Sequence, residues 1–179
     1  MTFPIPDSRW HWLVQDATSE LVLDVGDGQP IATAISCRHL RDKGLQTASF
    51  SVAQTQLYME LLENPALTPL QENDGFAFLI LINAIAAAFF HKEVAAKNWH
   101  YQVNALSKQT FAAHELAAVE SKYAQCDVLL LSQHGAFFNC LLLQALQLDE
   151  QKHLPMFTLI KVSDDRLFDF SGQCLTQFG

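Results

Sequence analysis

The chain has 179 residues, half of them hydrophobic, enough for one large or two small folded parts with a sizeable core. Eleven Lys and Arg against nineteen Asp and Glu leave a formal charge of −8, which argues against general affinity for nucleic acid and against adhesion to anionic lipid. The four cysteines, Cys37, Cys126, Cys140 and Cys174, include no Cys-x-x-Cys pair and no histidine at zinc-finger spacing, and read as reduced, mostly buried thiols.

From the N-terminus, Trp10 to Val14 has strand composition, Asp16 to Ser19 is a polar turn, and Leu21 to Val25 resumes a β-rich run before Gly26-Asp27-Gly28 turns again. The pattern predicts a hairpin followed by a third strand near Pro30 to Ile35, a short helix over Ser36 to Lys43 and a brief strand at Ser49 to Val52. Between Ala53 and Glu63, Leu57, Tyr58, Leu61 and Leu62 recur at helical spacing, and Asn64-Pro65 closes the segment. Pro69 to Asp74 supplies polar residues ahead of a second helix that runs to Phe90.

That second helix decides whether the chain crosses a membrane. Phe76 to Phe90 is an almost wholly apolar run of fifteen residues, interrupted by Asn83 and closely flanked by Asp74, His91 and Lys92. A spanning helix needs about 20 apolar residues, so the run reads as a buried core helix, its apolar positions lying all round the axis. The N-terminus has neither a basic region nor an apolar stretch of signal-peptide type, and a cytoplasmic location is expected.

After Lys97 the pattern changes to short apolar or β-branched segments separated by polar breaks: Asn98 to Leu106, Leu116 to Lys122, Asp127 to Ser132, Ala136 to Gln144 and Met156 to Val162. His134-Gly135 fits a tight turn between adjacent antiparallel strands, while Phe111 to Val119 also fits a helix. The expected fold class is α+β: an N-terminal α/β part over 1–97, a small sheet with two main helices including the buried one at 74–90, then a β-barrel-like part over 98–179.

No catalytic motif emerges. Gly26-Asp27-Gly28 lacks the further glycines of a dinucleotide loop, and neither a phosphate loop nor a Gly-x-Ser-x-Gly elbow is present. His100, His114, His134 and His153 could in principle pair with Cys126 or Cys140, but they read better as separate core or surface residues. Asp164 and Asp165 lack calcium-loop spacing and read as a solvated turn. No cofactor or metal is expected. The features that remain suit recognition: the tryptophans Trp10, Trp12 and Trp99, the cations Lys92 and Lys97 beside the end of the apolar helix, and Arg166 in a charged turn. Trp10 and Trp12, two apart on a strand, face one side and usually belong to a core.

Taken in order, Trp10-x-Trp12, Leu23-Asp24-Val25-x-x-Gly28, Phe50-Ser51-Val52 to Tyr58, Leu81-x-Asn83-Ala84, Lys97-x-Trp99-His100-Tyr101 and Ile160-Lys161-Val162-x-x-Asp165-Arg166-Leu167 resemble the ZapC family of bacterial cell division proteins. The resemblance implies a non-enzymatic protein of the division septum, monomeric in solution, without nucleic-acid binding or membrane insertion. Its implied partner is FtsZ, the GTPase of the division ring, whose protofilaments it would bundle and whose GTP turnover it would restrain. It also implies FtsZ-binding roles for Leu23, Lys92, Lys97 and Arg166. Because bundling needs two contacts per bridging unit, two surfaces are expected, one over Lys92 to Trp99 and one near Arg166. The competing class is a small-molecule-binding protein or an enzyme with an aromatic pocket around Trp10, Trp12, Trp99 and Tyr101.

Overall fold

A computed structural model of the chain describes residues 2–106 and 109–178. The fold is α+β, and the chain separates into two compact units: Met1–Glu63 with Asp74–Glu93, and Asn64–Asn73 with Val94–Gly179.

The first unit begins with four antiparallel strands, β1 (His11–Gln15), β2 (Glu20–Asp24), β3 (Ile31–Ser36) and β4 (Thr47–Ser49), in the order β3-β2-β1-β4. The expected hairpin is β1-β2, with Trp12 opposite Leu23. Gly26 is needed in the next turn on two counts: its φ is +90°, and a Cβ there would sit 2.7 Å from Cβ of Arg9. The helix expected over Ser36 to Lys43 shrinks to a single 3-10 turn, Cys37–His39.

Helix α1 (Val52–Leu62) starts where Ser49 to Val52 reads as a strand. Ser51 ends the strand register because it caps the helix: its hydroxyl accepts from Gln54 N at 3.1 Å, and Gln54 Oε1 accepts from Ser51 N at 3.0 Å. The same Gln54 oxygen accepts the Trp12 indole N–H at 2.9 Å, so one side chain fixes both the helix start and the central tryptophan of β1.

Helix α2 (Asp74–Phe90) is the expected core helix. Among the described residues no helix is long and apolar enough to cross a membrane. Its one interior polar residue, Asn83, is buried and satisfied: Oδ1 accepts from Ala34 N of the edge strand β3 at 2.8 Å, and Nδ2 donates to Leu79 O at 2.9 Å. The polar segment ahead of α2 is a 3-10 helix, Pro65–Glu72, capped by Asn64. It packs with the second unit, where Leu67 and Leu70 are buried and Asn64 Nδ2 donates to His114 O at 2.9 Å.

The second unit contains β5 (Leu116–Glu120), β6 (Gln125–His134), β7 (Phe137–Leu142) and β10 (Leu159–Ser163) in one antiparallel sheet ordered β10-β7-β6-β5. A two-stranded ribbon, β8 (Leu146–Gln147) with β9 (His153–Leu154), lies between them in sequence. Gly135, at φ +62°, makes the expected β6-β7 turn. The helical alternative for Phe111 to Val119 yields to β5, whose register pairs Ala117 with Val128 and Val119 with Cys126. One sheet face carries a core of Tyr101, Phe111, Phe138, Leu130, Val162 and their neighbours.

Two expectations fail here. Asn98 to Leu106 is not a strand but a 3-10 turn, Asn98–His100, leading into an irregular segment, because its backbone is bonded to the charged turn: Asn104 N donates to Asp165 O at 2.7 Å. Nor does the second unit close into a barrel. β10 and β5 stand at opposite edges of an open sheet, and the outer edge of β5 is instead met by single residues, Phe168 bridging Ala118 and Gln102 N donating to Glu120 O at 2.7 Å.

All four cysteines are free, with Cys126, Cys140 and Cys174 buried and Cys37 half-buried. Burial pushes the Cys126 and Cys174 thiols up to about 12 and raises Cys140 further, so none of the three is a thiolate at neutral pH. A thiol-disulfide exchange reagent is therefore expected to label Cys37 alone in the native protein and all four cysteines after denaturation, as counted by intact mass.

Candidate partner-binding site

In the first unit, chain crossing brings two stretches far apart in sequence into one cationic cluster. Leu40 and His91 form an isolated antiparallel bridge; Arg41 N donates to Phe90 O and Lys92 N to His39 O, both at 2.8 Å. Arg38, Arg41, Lys43 and Lys92, all exposed, are thereby gathered around two stacked imidazoles, His39 and His91, with ring centroids 5.5 Å apart and planes inclined by 10°. None of these four cations has an ion-pair partner among the described residues. Two of them do bond to backbone: Arg41 Nη2 donates to His91 O at 3.3 Å, and Lys43 Nζ donates to the carbonyls of Cys37 and Arg38.

Burial and then the surrounding positive charge hold both imidazoles below their usual range, with His91, Arg38, Lys92 and Lys43 acting on His39. His91 Nδ1 donates to Lys92 O at 2.7 Å, which partly opposes the shift of that ring. Neutral rings can stack; two imidazolium rings would repel one another and the cations around them. Lys92 was legible as a candidate, whereas Arg38, Arg41 and Lys43 read only as part of a short helix. The signal that links them is the Leu40-His91 pairing, which spans half the first unit's chain and leaves no local pattern.

In the second unit, the turn at Asn98–His100 is docked onto the charged turn Asp164–Arg166. Asn98 Nδ2 donates to Ser163 Oγ at 3.0 Å and Asn98 Oδ1 accepts from Ser163 N at 3.1 Å. Arg166 Nη1 donates to Tyr101 O at 2.6 Å and to Asn98 O at 3.3 Å. Its Nε lies 3.4 Å from Asp165 Oδ1, an ion-pair distance without hydrogen-bond geometry, so the Arg166 side chain, 22% exposed, serves chiefly to hold the two turns together. Docked in this way, the turn presents Trp99 outward, 75% exposed and tilted against His100, beside the exposed Lys97. Asp164 and Asp165 are exposed, and among the described residues no group of three metal-ligating side chains occurs.

The remaining expected residues fall elsewhere. Leu23 is fully buried in β2, between Trp12 and Ile31. Trp10 and Trp12 are core residues of the first unit, packed on Phe50, Tyr58, Phe78 and Phe90, and Tyr101 is buried in the core of the second. Of the four residues of the expected aromatic pocket, three fill cores and Trp99 faces solvent. The expected division into a Lys92 to Trp99 surface and an Arg166 surface is also redrawn. Lys92 belongs to the first unit, while Lys97, Trp99 and Arg166 belong to the second, where Arg166 and the tryptophan turn make one site.

Fold and surfaces together define an α+β protein of two units, with a cationic cluster exposed on the first and a tryptophan turn exposed on the second. The chain belongs to the ZapC family of cell division proteins, matching its N-terminal model over residues 4–92 and its C-terminal model over residues 94–173. It is 29% identical over 165 residues to the cell division protein ZapC of Pseudoalteromonas atlantica, covering 91% of this chain and 92% of that one. The ZapC proteins of Tolumonas auensis and Aeromonas hydrophila are each 27% identical, over 97% and 90% of this chain and 96% and 90% of their own.

Proposed function

We propose that this chain is a non-enzymatic protein of the cytoplasm that binds FtsZ at the division septum, bundles its protofilaments laterally, stabilises the Z-ring and restrains GTP turnover. The observation that carries this reading is the cluster of Arg38, Arg41, Lys43 and Lys92: four exposed cations without an ion-pair partner among the described residues, gathered on a molecule of formal charge −8. Such an arrangement suits steering toward an acidic surface. Membership of a cell-division family supports the cellular role.

Of the four residues assigned to FtsZ binding, Lys92 and Lys97 are suited to direct contact, being long, exposed cations. Arg166 acts by positioning the Trp99 turn, and Leu23 acts by stabilising the first unit. Two surfaces on one monomer give the bivalence that bundling requires, since a formal charge of −8 disfavours bulk neutralisation of acidic protofilaments.

The reading is tested by sedimenting the chain with GTP-polymerised FtsZ from the same organism at two salt concentrations. Co-pelleting that weakens with salt is expected, because exposed charges are screened over about 10 Å at 0.1 M ionic strength; no co-pelleting at either concentration refutes it. The double reversal Arg38→Glu with Lys92→Glu is expected to weaken binding roughly tenfold or more while leaving the melting temperature within a few degrees of the parent. Undiminished binding by that variant would remove the cluster from the interface.

A further inference from the structure

β10 is an edge strand, hydrogen-bonded to β7 alone. Leu142 N donates to Thr158 O at 3.0 Å and Asp164 N to Ala136 O at 2.8 Å, so the even-numbered residues here direct their backbone groups at β7. Leu159, Lys161 and Ser163 must then turn theirs outward. The Ser163 N–H is taken by Asn98 Oδ1 at 3.1 Å. The backbone groups of Leu159 and Lys161 have no partner among the described residues. The opposite edge differs: on β5, Ala118 exchanges two hydrogen bonds of 2.8 Å with Phe168, and Glu120 O is occupied by Gln102. The sheet therefore has one edge met by its own chain and one with a short open stretch.

We propose that this stretch of β10 takes up an extended, acidic segment of a protein partner as an added strand. An unpaired strand edge offers two donors and two acceptors in fixed register to any extended backbone. Lys161, at the centre of the outward-facing set, has no ion-pair partner among the described residues, and so favours a carboxylate on the incoming strand. The same lysine disfavours a second copy of this chain. The antiparallel registers that pair Lys161 with Lys161 or with Leu159 of a second copy set the two lysines directly opposite or on the diagonal, a like-charge arrangement. Where the open stretch ends, Asn98 caps it, and the next residue is the exposed Trp99, placed to cover an apolar side chain of the same incoming segment.

The proposal rests on the cell-division reading above and assigns a backbone-level mode of recognition to the second unit, so FtsZ is the probe. Hydrogen exchange is followed at Leu159 and Lys161 in the chain alone and on GTP-polymerised FtsZ. Both amides are expected to exchange freely in the chain alone and to slow by about tenfold or more in the complex. Lys161→Pro removes one outward N–H at a kind of position where an edge strand tolerates proline, and is expected to lose more binding than Lys161→Ala, which keeps the backbone donor. Should the proline variant unfold, the exchange measurement on the parent chain decides. Parent chain that fails to pellet with FtsZ overturns the cell-division reading and this proposal together. Binding without protection of the two amides overturns the added strand alone. Protection that appears in the chain by itself and grows with its concentration makes a second copy the occupant, and also overturns it.

Discussion

Leu23→Ala is expected to lower the unfolding free energy by about 3 kcal/mol, within the range found for deleting buried leucine atoms from a close-packed core. Leu23 is 0% exposed on the interior strand β2, flanked by Trp12 on β1 and Ile31 on β3. Urea denaturation followed by far-UV circular dichroism measures the loss. The variant separates two explanations for a functional defect at this position. If Leu23 acts through stability, FtsZ binding per folded molecule is unchanged, and total binding recovers as the temperature is lowered. A binding defect in a variant as stable as the parent would instead require Leu23 to become exposed in the complex.

The second large effect is expected at Asp127, a fully buried carboxylate on β6. Its Oδ1 accepts from Ser171 N and Ser171 Oγ, each at 2.8 Å, and its Oδ2 accepts from Cys174 N at 3.0 Å. One side chain thus fastens the 3-10 segment Gln173–Phe178 to the sheet. Asp127→Ala leaves three donors without their acceptor, two of them backbone N–H groups, and a cost of about 3 kcal/mol follows from unmade bonds to a buried charged group. Two measurements check it: accelerated hydrogen exchange at Ser171 and Cys174, and the appearance of Cys174 beside Cys37 among the thiols labelled in the native state. Asp127→Asn, which keeps one acceptor oxygen, should lose less. Equal stability of the alanine variant and the parent would mean that the segment is held by its apolar contacts alone.

The elements that follow from local pattern were readable. Strand composition between polar turns marks β1, β2 and β7, and the run Phe76 to Phe90 marks α2, because each depends on the residues of one segment. What escaped depends on partners distant in sequence. Asn98 to Leu106 has strand composition, but its backbone answers to Ser163, Asp165 and Arg166, and no property of the segment itself reports those bonds. Barrel closure failed for a related reason: four of the five expected strands form the sheet, while the occupancy of the outer edge of β5 by Phe168 and Gln102 left no sign in the sequence. Among candidate site residues, Lys92, Lys97 and Trp99 stood out as long cations and a tryptophan beyond a helix end, and all three are exposed. Leu23 and Arg166 have types that suit an interface, yet the first lies in a core and the second spends its guanidinium on two carbonyls.

The chain passes between its two units three times, at residues 63 to 64, 73 to 74 and 93 to 94. Protein synthesis is directional, so α1, α2 and the first sheet emerge from the ribosome before any strand of the second. The link between those helices emerges with them, but the layer that should cover Leu67 and Leu70 has not yet been made. A nascent chain halted near Glu93 would carry Leu67 and Leu70 of this segment uncovered, a natural client site for a chaperone, until translation delivers β5 to β10. The same ordering bears on dissection of the molecule: a fragment cut at residue 93 inherits a loop whose home is in the other half, and solubility of such a fragment would call for replacing the loop by a short polar connection.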